Sequence, residues 1–135
     1  MERKSVFLFG PRQKGKSTFL KAIYPDAYVM NLLRHAEYLK FKSHPKQFGE
    51  EVEFAYKQRN IKLFVVDEIQ KIPELLDETH LLIEEYKDIR FILTGSSARK
   101  LKKRLGSIYL EAERREFIFI PLFLQNMDLM ISRKI

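Results

Sequence analysis

Gly10-Pro11-Arg12-Gln13-Lys14-Gly15-Lys16-Ser17 fits the spacing G-x-x-x-x-G-K-[ST] of a phosphate-binding loop. The flanks of this stretch fit as well. Val6-Phe7-Leu8-Phe9 precedes it as a short, wholly apolar run, the pattern of a strand buried on both faces of a parallel sheet. Phe19, Leu20, Ile23 and Tyr24 follow it on one helical face. Strand, glycine-bearing turn and helix start together wrap backbone N–H groups around a phosphate at the positive end of a helix. Gly10 and Gly15 give the backbone conformations closed to other residues and a close approach to the phosphates. Lys16 supplies a cation to the β- and γ-phosphates, the Ser17 hydroxyl is placed to ligate Mg²⁺, and Thr18 is near the α-phosphate. Pro11, Arg12, Gln13 and Lys14 complete the loop, with Lys14 either reinforcing phosphate binding or pointing into solvent. The plainer alternative is a glycine turn capped by Ser17 that opens an ordinary helix, and a second motif downstream argues against it.

That second motif is Leu63-Phe64-Val65-Val66 running straight into Asp67-Glu68, which matches a Walker B strand. A carboxylate at the tip of a strand beside the phosphate-loop strand can hold the Mg²⁺ shell, the role expected of Asp67. Glu68 is then the candidate to orient and polarise the attacking water as general base. Alone, this pair reads as a solvated acidic strand end. Beside a phosphate loop, the chemical reading is preferred. Thr94-Gly95-Ser96 closes the next apolar strand, Phe91-Ile92-Leu93. Ligands of open parallel sheets sit at the carboxyl ends of strands, so a hydroxyl of Thr94 or Ser96 can reach the γ-phosphate or the water. The same residues equally suit a polar turn with Ser96 or Ser97 as a helix N-cap. The catalytic candidates are therefore Lys16, Glu68, Thr94 and Ser96, and the metal candidates Ser17 and Asp67.

Bulk properties bound the remaining possibilities. The 135 residues suffice for one domain with a real core. There is no cysteine, so neither disulfides nor a Cys-ligated metal can form, and His35, His44 and His80 have no partners at metal-ligand spacing. The amino terminus reaches the first strand too soon for a signal peptide. The longest apolar stretch, Phe117 to Leu124, is broken by Pro121 and falls short of the ~20 residues of a membrane span, so a cytoplasmic protein without a membrane partner is expected. The net charge of +7 admits nucleic acid as a partner, with Arg99-Lys100-Leu101-Lys102-Lys103-Arg104 as the densest basic run. No aromatic residues interleave that run, so a solvated helix face is the blander reading. Arg99, Arg104, Arg114 and Arg115 are candidates to neutralise transition-state charge.

Short apolar runs alternate with amphipathic stretches throughout, the pattern of a parallel α/β sheet. A second strand is expected over Ala27–Asn31, followed by Leu32, Ala36 and Leu39 at helical spacing. Ser43-His44-Pro45 breaks the chain before a helix whose apolar stripe is Phe48, Val52, Ala55 and Tyr56. Pro73 opens a further helix with Leu75, Leu82, Ile83 and Tyr86. Glu116 to Ile120 reads as a fifth strand, and Phe123, Met127, Met130 and Ile131 as one face of a terminal helix. An exposed patch of Phe117, Phe119, Phe123 and Met127 would favour self-association or a protein partner.

Three stretches together resemble the prokaryotic AAA-type ATP-binding proteins that carry a second domain behind the ATPase module. They are Val6 to Thr18, Val65 to Leu76 and Leu93 to Leu101. The resemblance implies a three-layer P-loop NTPase fold of AAA-like α/β type, with a central parallel sheet flanked by helices. It implies that the Thr94 strand lies between the phosphate-loop strand and the Asp67 strand. It also implies ATP with Mg²⁺, Asp67 and Glu68 as the Walker B pair, and the Thr94–Ser97 turn as sensor 1. Lys14 stands where the family usually has a small polar residue, and Glu113 where it tends to have glycine, which leaves Arg114 without a clear equivalent. The expected organisation is an ATP-binding domain over 1–120 and a divergent tail over 121–135, with the chain ending before the family's second domain.

The leading expectation is an ATPase module. Its alternatives are a nucleotide-binding fragment without useful turnover and a basic nucleic-acid-binding protein using residues 99–104. A small-molecule kinase would need an arginine-rich acceptor lid that this sequence does not display.

Overall fold

The computed structural model describes residues 5–10, 15–96, 103 and 117–121, with backbone alone at 15–17 and 117–121. Among the described residues there are five strands and four α-helices. They are β1 (Ser5–Phe9), α1 (Gly15–Ile23), β2 (Tyr28–Asn31), α2 (His35–Ser43), α3 (Lys46–Arg59), β3 (Leu63–Asp67), α4 (Leu75–Glu85), β4 (Arg90–Gly95) and β5 (Phe117–Pro121). A short 3₁₀ turn, Ile69–Lys71, joins β3 to α4. All strand pairs are parallel, in the order β2-β3-β4-β1-β5. The Thr94 strand thus lies between β1, which runs into Gly10, and the Asp67 strand, as expected. Among the described residues β5 lies at the edge of the sheet and Pro121 is its last residue, a position at which proline is tolerated.

The strand order dictates the layers. The connection from β1 to β2 crosses the sheet in one direction, and the connections from β2 to β3 and from β3 to β4 run back in the other. Right-handed crossovers then place α1 on one face and α2 to α4 on the opposite one. The alternation of side chains agrees. Val6, Leu8, Val65 and Ile92 pack with Phe19 and Leu20 of α1. Phe7, Met30, Phe64, Val66, Phe91 and Leu93 point the other way, into the core formed with α2 to α4.

That larger core is organised around linked aromatic rings. Tyr28 meets Phe64 at 5.8 Å between centroids, Phe64 meets Phe91 at 5.6 Å, Phe91 meets Phe48 at 6.1 Å, and Phe48 meets Phe41 edge-on at 5.6 Å. Gly49 lets α3 come close to α4, since a Cβ there would lie 3.2 Å from Glu78 Oε2. Helix α3 stops where Asn60 adopts the left-handed conformation (φ 55°), which asparagine tolerates well. Nearby, the Tyr56 hydroxyl donates to Asp88, which holds that carboxyl below its ordinary value and raises the phenol's own.

Helix α2 departs from the sequence reading. Leu39 is 47% exposed, and Phe41 is the fully buried residue of this helix. The Leu32–Ala36–Leu39 spacing fails because Leu32 precedes the helix, in the turn after β2, so the three residues do not share one helical face. Among the described residues, no helix is long and apolar enough to cross a membrane.

Candidate functional site

The candidate site forms at the carboxyl ends of β1, β3 and β4. Register brings its residues level. Leu8 pairs with Thr94, Val66 pairs with Leu93, and Asn31 pairs with Asp67. Asp67 shares the face of Leu63 and Val65, and Thr94 shares the face of Ile92, because strand side chains alternate with period two. Both therefore belong to the sheet face covered by α1, the helix that Gly15 opens.

The two motif regions meet through side-chain hydrogen bonds. The Thr94 hydroxyl donates to Asp67 Oδ1 at 2.8 Å and accepts the backbone N–H of Glu68 at 3.0 Å. One hydroxyl thus spans two consecutive residues of the neighbouring strand end. The Ser96 hydroxyl donates to Glu68 Oε2 at 2.9 Å. The sequence could not choose between Thr94 and Ser96, and the structure uses both, one on each carboxylate. Asp67 and Glu68 are only 3% and 2% exposed, so the reading of a solvated strand end is set aside. Burying two acidic side chains is costly unless they are hydrogen-bonded, and these donors supply that compensation.

Glu68 itself turns the chain. It adopts the left-handed conformation (φ 61°, ψ 53°), unusual for a residue with a Cβ and costing about 1–2 kcal/mol. Its carbonyl accepts the N–H of Lys71 at 3.0 Å, which closes the 3₁₀ turn. The end of β1 joins the same place through the backbone. Gly10 N–H donates to Gly95 O at 3.1 Å, so the loop leaves β1 directly beside the Thr94–Ser96 segment. Gly15, Lys16 and Ser17 open α1, and Thr18 is exposed in its first turn. Pro11, Arg12, Gln13 and Lys14 lie outside the described residues. So do Ser97, Arg114, Arg115, residues 122–135 and, apart from exposed Lys103, the basic run at 99–104.

The family profile of the AAA domain matches residues 2–126. The chain belongs to the AAA domain family. Among solved structures, it is similar to domain III of the Thermotoga maritima replication initiation protein DnaA, with a TM-score of 0.53 at 15% identity. The match covers 98% of this chain, and the chain spans 61% of that structure's length. At such identity the likeness is one of fold. Comparison with curated proteins gives no match. Family and fold together make this a nucleotide-binding module of AAA type.

Two residues of this AAA domain escaped the motif reading. Gln70, in the 3₁₀ turn, donates from Nε2 to Glu68 Oε2 and lies 3.5 Å from Ser96 Oγ. Asn31, level with Asp67, accepts the N–H of Leu33 on Oδ1 at 2.9 Å, while its own N–H is bound by Glu37 Oε2. The signal for Asn31 was its place at the tip of a strand, and Gln70 falls within the Val65 to Leu76 stretch that carries the family resemblance, where it was given no role of its own. A cavity of about 200 Å³ adjoins Asp67 on the α1 face, lined also by Leu20, Lys21, Arg34 and Glu37.

Thr94→Val removes both hydrogen bonds of the hydroxyl at nearly constant volume. It is expected to cost about 1–3 kcal/mol of stability, read from urea denaturation, whereas Thr94→Ser keeps most of it. Equal midpoints for the two variants would count against the Thr94 bridge.

Proposed function

We propose that the chain binds ATP with Mg²⁺ through residues 10–18 and hydrolyses it, with Glu68 as general base. The observation that carries this reading is the bonding of Asp67 to Thr94 and of Glu68 to Ser96, from a strand that itself abuts Gly10. It supports a single polar site out of three motifs far apart in sequence. In hydrolysis, the water oxygen bonds to the γ-phosphorus while the bond from that phosphorus to the bridging oxygen breaks. Glu68 takes the water's proton, and the products are ADP and phosphate. Lys16 and the N–H groups at the start of α1 neutralise phosphate charge.

The residues suit the metal. Mg²⁺ bound with nucleotide draws most of its oxygen ligands from phosphate and water, so one carboxylate (Asp67) and one hydroxyl (Ser17) fit the requirement. Bound there, the ion would supply charge stabilisation on the phosphate oxygens.

Calorimetric titration with ATP tests the binding half. Mg²⁺-dependent binding is expected for the unaltered chain, with at least a tenfold loss in Lys16→Ala. Equal affinity in both would overturn the assignment of the loop. A phosphate-release assay tests the other half. Tight binding with no release above background would replace this reading by that of a nucleotide-binding module without turnover. A cytoplasmic location and a nucleic-acid partner through residues 99–104 are further proposals resting on composition, the latter on the net charge of +7. Steep weakening of any nucleic-acid binding with salt would be its mark.

A further inference from the structure

A general base works only if its carboxylate is held where the water's proton will be, and a long side chain at a sharp turn does not hold itself. Glu68 has three rotatable side-chain bonds and follows the last residue of β3 in a left-handed backbone conformation. Two donors converge on one of its oxygens. Ser96 Oγ reaches Oε2 at 2.9 Å from the end of β4, and Gln70 Nε2 reaches the same oxygen from two residues along the chain. Gln70 Nε2 also lies 3.5 Å from Ser96 Oγ, closing a ring of three side chains. All three are buried, with Gln70 8% and Ser96 9% exposed. The 3₁₀ turn explains the placement. Lys71 N–H to Glu68 O and Ile72 N–H to Ile69 O tighten the chain after β3, which folds the Gln70 side chain back over Glu68.

We propose that Gln70 is a positioning residue for Glu68. Together with Ser96 it fixes Oε2 and so confines the carboxylate of the base to one orientation. The inference rests on the reading of Glu68 as general base given above. A local glutamine does this without adding a charge beside the carboxylate, which a lysine or glutamate in the same place would do.

The test is steady-state phosphate release from ATP by the full chain, comparing the unaltered protein with Gln70→Met, Ser96→Ala, Glu68→Gln and the double variant Gln70→Met/Glu68→Gln. Methionine keeps the volume of glutamine and removes its donors. The expected result is a fall in kcat of about 10- to 100-fold for Gln70→Met, with KM within about twofold. Ser96→Ala, which removes the other donor and little volume, should fall in the same direction, and it carries the test if Gln70→Met does not fold. The decisive comparison is the double variant. If Gln70 acts through Glu68, the second substitution adds nothing once Glu68 is glutamine.

The proposal is overturned if a folded Gln70→Met keeps kcat within twofold or raises it, if Ser96→Ala does so where Gln70→Met does not fold, or if Gln70→Met lowers the Glu68→Gln background by the same factor as the unaltered chain. A different failure is recognisable separately. Should the unaltered chain release phosphate no faster than Glu68→Gln, the base assignment itself falls and the role of Gln70 falls with it.

Discussion

Replacing Glu68 by glutamine is expected to slow phosphate release by about 100-fold or more while leaving ATP affinity nearly unchanged, because a general base contributes ~10²–10⁴ to rate and little to ground-state binding. The substitution is close to isosteric. The new amide oxygen can still accept from Ser96 and Gln70, so the 2%-exposed side chain keeps its packing and partners. What it loses is the capacity to take a proton at neutral pH. Stability should therefore stay close to that of the unaltered chain, and a urea midpoint measured alongside the assay checks this. A parallel fall in ATP affinity would point to Glu68 in binding instead, and unchanged turnover would remove it from the chemistry.

Phe91→Ala should produce the largest loss of stability, about 3–5 kcal/mol, comparable to the whole stability of many small domains. Phe91 is fully buried on β4 and touches Phe64 on one side and Phe48 on the other. It thereby joins the sheet to α3, and the rings beyond it extend the contact to α2 and β2. Truncation deletes the central ring, and rigid neighbours on a strand and a helix can close only part of the space. Phe91→Leu, which refills most of the volume, is expected to recover the greater part of the loss. The measurement is the shift in urea-denaturation free energy, and a loss below about 1 kcal/mol for Phe91→Ala would show that the aromatic row is not what joins the two layers. Because Thr94 lies three residues further along β4, a chain loosened at Phe91 should also lose nucleotide affinity when assayed near its midpoint.

Much of this molecule was legible in its residues. Apolar runs ending in Gly10, Asp67 and Thr94 marked three strands and the end of the sheet at which each carries polar groups, since a buried parallel strand can afford polar side chains only where it emerges. The helix stripes over Phe19–Tyr24, Phe48–Tyr56 and Leu75–Tyr86 held because each packs against one face of the sheet. The stripe over Leu32, Ala36 and Leu39 did not, because Leu32 precedes α2 in the turn after β2, and the buried residue of that helix is Phe41.

The sequence alone determined the chemistry available: a glycine-bearing loop with Lys16 and Ser17, two adjacent acids, and two hydroxyls after an apolar strand. Those are properties of residue type and local spacing. Which hydroxyl meets which acid was decided only by the tertiary structure. Thr94 and Asp67 are 27 residues apart, Ser96 and Glu68 are 28 apart, and their meeting depends on the parallel register of β3 with β4. A slip of one residue would turn every one of these side chains to the opposite face. The return of Gln70 onto Glu68 depends likewise on the left-handed turn at Glu68, a backbone conformation that no residue preference at that position announces.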